Sequence, residues 1–212
     1  MGIQDIYIVV NVFKEKIVDY FDLFKMDLRV NIYFIEQKIL DGNAGAILLA
    51  EKYIGKEPFL VIYGDDCTIS ESLDLMIQKF LKTNNATVME AVVKEEDVDV
   101  LRQTCSVKLN KDGKMVEIIE KPEDPPYKLR GCGVYLFRPD IFNHIRQTPI
   151  HPIKKEREIT YTIDRLAKLR KAYGYLLNGH NVNVNDHNEL LKASQLVKEA
   201  KQNSKKVLKV LF

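Results

Sequence analysis

Phe59-Leu60-Val61-Ile62-Tyr63-Gly64-Asp65-Asp66 is the stretch on which the fold turns. Five apolar residues in a row, following Pro58, read as a strand buried on both faces, the habit of a helix-covered sheet. The run ends abruptly in a glycine and two acids. Open α/β sheets bind ligands beyond the carboxyl ends of their strands. A carboxylate there, with a glycine that lets a ligand come close, suits a Mg²⁺ bridging phosphate oxygens. The same residues also suit a plain turn cap, and spacing alone leaves both readings standing.

Outward from this stretch, strands and helices alternate. Ile6 to Val10 is an apolar strand, and Phe13, Ile17, Phe21 and Phe24 form one helical stripe after it. Arg29 to Ile35 reads as a strand, Ala44 to Tyr53 and Leu73 to Leu81 as helices, and Ala86 to Val93 as a strand. The alternation predicts an α/β fold with a mostly parallel, mixed sheet flanked by helices. Cys105 to Leu109 and Lys114 to Ile119 flank Asn110-Lys111-Asp112-Gly113, a hairpin signal because Asp-Gly suits the turn. Gly131 to Phe137 is strand-like, Pro139 starts a short helix through Ile145, and Thr148 to Lys155 has no period. Ile159 to Leu169 is helical, and Tyr173 to Leu177, Val182 and Val184 are extended. Asp186 is placed to cap a last long helix. With no repeat and no linker, residues 1–200 read as one domain and 201–212 as a lysine-rich, solvated end.

Composition removes several classes. The 212 residues carry 32 Lys+Arg against 30 Asp+Glu, a formal charge of +2, which gives no electrostatic case for nucleic acid. No apolar run approaches the ~20 residues of a membrane span. Cys67, Cys105 and Cys132 form no C-x-x-C pair, which argues against a zinc site or a disulfide framework. The four histidines show no ligand spacing. A soluble, cytoplasmic protein is the expectation.

Other candidates are individually weak. Gly42 to Gly45 opens a helix whose N–H groups suit an anion or the edge of a base, and also suit an ordinary helix start. In Glu120-Lys121-Pro122 the lysine suits a phosphate and the glutamate sugar hydroxyls, although charged loops are commonly just solvated. Glu156 and Glu158 begin a helix, where acids also oppose the macrodipole. Gly131-Cys132-Gly133 lacks the further glycine of a dinucleotide fingerprint.

Their order is more telling. From Gly2 to Ala193 the chain resembles the sugar-1-phosphate nucleotidyltransferases, the NDP-sugar pyrophosphorylases of the glucose-1-phosphate thymidylyl- and uridylyltransferase type. Gln37 with Leu40-Asp41-Gly42-Asn43-Ala44-Gly45-Ala46 is similar to the Q…GTAGA element, which implies that Gln37 and Gly42 read the base. Val61 to Asp65 resembles the strand ending in the metal-binding aspartate, which assigns that role to Asp65. Glu120-Lys121-Pro122 matches an EKP motif, implying that Glu120 contacts the sugar and Lys121 its phosphate. Gly133-Val134-Tyr135-Leu136-Phe137 resembles the G-I-Y-x-F strand beside the sugar, involving Gly133 and Tyr135. Glu156-Arg157-Glu158-Ile159-Thr160 is similar to an E-x-E-I-T helix start, turning Glu158 to the sugar. A second metal aspartate corresponds to Asn183, with Asn185 as a rival. The resemblance implies Mg²⁺ or another divalent cation, a nucleotide and a sugar phosphate as ligands, and no nucleic acid or membrane.

The departures carry expectations too. No G-x-G-T-R loop and no lysine-proline segment of the triphosphate side occurs in the sequence, which reads as incomplete at its N-terminus. Tyr161 stands where an aspartate usually follows E-I-T, and Cys105 where a glycine is common. Nucleotidyl transfer relies on positioning and charge neutralisation, and losing one oxyanion donor costs roughly 3–4 kcal/mol. Weak or absent turnover by the chain alone is therefore expected. A missing central strand would leave backbone groups unpaired, which suits a homo-oligomer or a partner subunit. A non-catalytic nucleotide-sugar-binding or regulatory relative, and a glycosyltransferase of similar nucleotide-binding fold, are the alternatives.

Overall fold

The computed structural model describes residues 3–11, 14–24, 30–152, 155–203 and 209–211. The first elements are β1 (Asp5–Val10), α1 (Lys14–Phe24), β2 (Asn31–Glu36), α2 (Asn43–Leu49), α3 (Glu51–Ile54), β3 (Phe59–Ile62) and β4 (Asp66–Ser70). Then come α4 (Leu73–Lys82), β5 (Val88–Lys94), α5 (Val98–Gln103), β6 (Cys105–Leu109), β7 (Met115–Glu120) and β8 (Leu129–Phe137). The last are α6 (Ile141–Arg146), α7 (Ile159–Lys168), β9 (Ala172–Leu176), β10 (Gly179–Asn183), α8 (His187–Asn203) and β11 (Lys209–Leu211). Phe13, Arg29 and residues 204–208, which the sequence assigns to the first helix, the second strand and the solvated end, lie outside the described residues. Among the described residues no helix is long and apolar enough to cross a membrane. The chain divides into two compact units, Met1–Glu57 with Phe142–Ile159 and Pro58–Ile141 with Thr160–Phe212.

In the first unit β1 and β2 pair in parallel from Asp5↔Asn31 to Val10↔Glu36, with α1 between them in the chain. Val10 and Ile35 are buried, as are Ala44 and Ile47 of α2. Tyr7 stacks between Tyr33 at 5.0 Å and Tyr53 at 5.2 Å. The single helix predicted over Ala44–Tyr53 is two, meeting at Ala50, which closes α2 through its N–H to the Ile47 carbonyl. Gly55, at φ +69, ends the second.

In the second unit the main sheet has the order β3-β8-β5-β9. Alternate residues of a strand point to opposite faces. Met89, Ala91 and Val93 of β5 and Cys132, Val134 and Leu136 of β8 thus meet Leu73, Met76 and Phe80 of α4 in one core. A smaller sheet, β10-β4-β11, buries Cys67, Ile69 and Val182 against Ala193 of α8. The hairpin β6-β7 turns as expected, with Gly113 at φ +79 and Asn110 Oδ1 accepting from the Asp112 N–H.

Three features differ from the sequence expectation. The sheets are mixed, but among the described strands only β1–β2 and β5–β9 run parallel. The long strand β8 lies antiparallel to both β3 and β5, and an alternation of strands and helices cannot reveal the direction of such an insertion. Strand β4 has no counterpart in the sequence reading, which stops the preceding run at Gly64-Asp65-Asp66; Asp66, Thr68 and Ser70 are polar, yet all five of its residues are buried. Finally, residues 209–211 pair with β4 instead of being a free end.

Candidate functional site

Asp65 lies in the turn between β3 and β4, where the Asp66 N–H returns to the Tyr63 carbonyl at 3.1 Å. Its side chain is exposed, and its carbonyl accepts the Val184 N–H at 2.6 Å. That bond ties the turn to the end of β10, where Asn183 is the register partner of Asp66. Of the two asparagines singled out, Asn183 is the one bonded to the Asp66 carboxyl. Asn185 is exposed and spends its amide N–H on Asn183 Oδ1. Its backbone N–H goes to Glu189, part of the capping box that Asp186 completes by accepting the Glu189 N–H at 2.9 Å.

Asp66 is 5 % exposed. Burial pushes its carboxyl up to about 7, opposed by a hydrogen bond from Asn181. Asn181 Nδ2 donates to Asp66 Oδ1 at 3.2 Å and to Thr68 Oγ1 at 2.8 Å. The amide is oriented by Arg130, itself 4 % exposed, which meets Asn181 Oδ1 at 2.5 Å, the Asn181 carbonyl at 2.9 Å and Glu95 at 3.1 Å. A planar fork with fixed donors suits this task as an ammonium would not.

Glu120 ends β7 half-buried, and its Oε2 accepts from Thr160 Oγ1 at 2.7 Å. Lys121 is exposed and non-glycine at φ +43, its N–H held by the Thr104 carbonyl at 2.7 Å. A left-handed backbone at a residue with a side chain costs of order 1–3 kcal/mol and is found where surrounding structure imposes it. Gly133 sits in β8 at φ +62, and Tyr135, 5 % exposed, lies between Tyr63 at 5.4 Å and Phe137 at 5.5 Å. Tyr135 therefore belongs to the floor of this region.

In the first unit Gln37 is buried, and its Nε2 donates to Asp41 Oδ1 at 3.0 Å and the Gly42 carbonyl at 3.1 Å. Gly42, at φ +96, lies flat on the backbone of Arg157, where a β-carbon would collide. Asn43 Nδ2 donates to Glu158 Oε2 at 3.0 Å, and Asn43 Oδ1 accepts the Ile159 N–H at 2.7 Å. Gln37, Gly42 and Glu158 are thus brought together within that unit. The start of α2 is a poorer anion site than its glycines suggest, since the Ala44 N–H is already given to the Arg157 carbonyl at 3.1 Å.

The sequence reading weighs Asp66 only together with Asp65, as a metal ligand or a turn cap, and gives no role to Glu90, Arg130 or Asn181, the charged and amide groups around it. Glu90 had a signal, as a lone acid inside Thr87-Val88-Met89-Glu90-Ala91-Val92-Val93. Among the described residues no three His, Cys, Asp or Glu cluster as a metal cage. One exposed carboxylate with neighbouring amide oxygens is nonetheless a hard-oxygen set of the kind Mg²⁺ completes with phosphates.

The model of the Nucleotidyl transferase family matches residues 1–200, and the chain belongs to that family. It is 35% identical over 193 residues to the bifunctional protein GlmU of Methanocaldococcus jannaschii, covering 91% of this chain and 43% of that protein. It is 30% identical over 228 residues to a UTP–glucose-1-phosphate uridylyltransferase of Streptococcus pyogenes, covering 91% of this chain and 73% of the relative. The chain thus spans less than half of the first relative and most of the second. A UDP-glucose pyrophosphorylase solved with UDP-glucose shares the fold, with a TM-score of 0.79 at 24% identity over 93% of this chain and 82% of that one.

Proposed function

We propose that the chain binds a nucleotide sugar and takes part in the reaction NTP + sugar 1-phosphate → NDP-sugar + pyrophosphate. A phosphate oxygen of the sugar phosphate attacks the α-phosphorus, the bond from that phosphorus to the β-phosphate oxygen breaks, and pyrophosphate leaves. Asp65 and Asn183 would hold Mg²⁺ or another divalent cation, which supplies charge neutralisation at the α-phosphate when bound. Lys121 meets the sugar phosphate, and Glu120 accepts sugar hydroxyls beside Gly133 and over the Tyr135 floor. Gln37 and Gly42 face the base, and Glu158 orients this side through Asn43. The domain so defined is residues 1–200. Three unpaired, buried thiols suit a reducing cytoplasmic compartment.

The observation that supports this most is the exposed Asp65 side chain on a turn whose backbone carbonyl is tied by the Val184 N–H to the strand end that carries Asn183. The test is equilibrium binding of UDP- and dTDP-glucose with and without Mg²⁺, beside an assay of NTP release from the same sugars by pyrophosphate. Mg²⁺-dependent binding with release of NTP is expected, and absent binding overturns the whole. A second reading is a non-catalytic binding or regulatory relative acting as a homo-oligomer or with a partner subunit. Binding with no turnover at all would select it. Sugar transfer to an acceptor without pyrophosphate chemistry would select a glycosyltransferase.

A further inference from the structure

Gly131-Cys132-Gly133 matches no fingerprint, and the reading above uses only its last residue. In the structure a different buried acid explains each glycine. The place of a β-carbon on Gly133 is taken by the Asp66 carboxylate, and that on Gly131 by Glu90 Oε1, with Cys105 Sγ next at 3.3 Å. The pairing of β5 with β8 slips at this point, Glu90 facing Tyr135 but Val92 facing Gly131, so β8 bulges through the two glycines.

Glu90 is 1 % exposed and lies on the sheet face opposite the Met89, Ala91 and Val93 core. It takes a hydrogen bond from Tyr135, and its Oε2 has no partner among the described residues. The groups facing it are Cys105 on β6, Glu120 on β7, Tyr135 on β8 and Asp66 on β4. None of these is a cation. The arginine of β8, Arg130, is turned to Glu95, Asn181 and the Gly131 carbonyl. An ionised carboxylate buried among acids and apolar atoms is strongly disfavoured. Burial accordingly pushes Glu90 up to about 8, its bond from Tyr135 opposing the shift and Glu120 and Asp66 adding to it.

We propose that Glu90 is a positioning residue for sugar binding, holding Tyr135 and the Gly131–Gly133 bulge in the shape over which Glu120 and Gly133 receive a hexose phosphate. This deepens, and rests on, the sugar-side reading of Glu120, Gly133 and Tyr135. The neutral acid is the competent form. It fills the gap beside Gly131 without adding a charge under a ligand that is itself anionic. Ionisation would set Glu90 against Glu120 and loosen the floor.

The experiment is UDP-glucose affinity of the full chain by calorimetry, with Mg²⁺, from about pH 6.5 to pH 9. Wild type should bind about tenfold more weakly at pH 9 than at pH 7, as a titration near 8 requires. Glu90→Ala should bind at least about tenfold more weakly at every pH, and Glu90→Gln, the neutral isostere, should restore most of that loss and lose the step near 8. If Glu90→Ala does not fold, the pH profiles of wild type and Glu90→Gln decide alone. Identical profiles in those two, or Glu90→Ala binding as wild type does, overturn the inference and leave the function standing. Wild type that binds no UDP-glucose at any pH overturns the function itself, and the inference with it.

Discussion

The carboxylate of Asp66 occupies the position where a β-carbon of Gly133 would stand, while Gly133 holds φ +62. Both conditions exclude a side chain. Gly133→Ala should therefore cost several kcal/mol or abolish folding, because neither the backbone nor the buried acid can move cheaply. Gly55, at φ +69 with nothing within 4 Å, is the control. Gly55→Ala should cost only the backbone strain, about 1–3 kcal/mol. Urea midpoints of the two variants check the difference.

Asp65 is exposed, and its carboxylate makes no hydrogen bond or ion pair among the described residues. Asp65→Ala should leave stability within about 0.5 kcal/mol of wild type. It should remove the Mg²⁺ dependence of UDP-glucose binding. A variant that keeps this dependence would refute the cation role.

Lys121 combines an exposed ammonium with a backbone at φ +43. Glycine relieves that backbone, so Lys121→Gly should be more stable by about 0.5–1 kcal/mol while binding sugar phosphate more weakly. A thermal melt and a titration with glucose 1-phosphate, performed on one preparation, separate the two effects.

Arg130 is a buried cation whose partners, Glu95 and Asn181, are arranged around it. Removing one member of such a buried set costs about 3–5 kcal/mol, since the others are left unpaired. Arg130→Ala should lower the unfolding free energy by that amount, read from urea denaturation. Arg130→Lys should recover only part, lacking the fork that grips both Asn181 oxygens.

Glu90 gives stability a defined pH dependence. Folding raises its pKa from the ordinary carboxylate range to about 8, so between those values the folded chain holds a proton that the unfolded chain has lost. The contribution is complete below the ordinary range and disappears as pH rises through 8, at up to about 1.4 kcal/mol per pH unit. Wild-type melting temperature should fall across this window. Glu90→Gln should make the fall shallower and leave the share of Asp66, whose carboxyl burial pushes up to about 7.

Legibility followed the range of the interactions. The β1–α1–β2 unit, the hairpin at Gly113 and the cap at Asp186 were readable because each is set by neighbours in the chain. The place of Asp65 just past a strand end was readable from the run before it. Strand β4 was not, because its polar residues look solvated until Asn181 and Asn178 arrive from more than a hundred residues away to satisfy them. The order of β8 between β3 and β5 is likewise a long-range fact. Glu90 stood out in its run, but nothing local connects it to a glycine on another strand.

The contact between Glu90 and Gly131 makes one small volume the joint property of two strands. Either strand can supply the atoms, but not both. Positions 90 and 131 should therefore exchange size across the family: a relative with a small residue at the first is free to carry a side chain at the second, and would then present different chemistry to the sugar from the opposite wall.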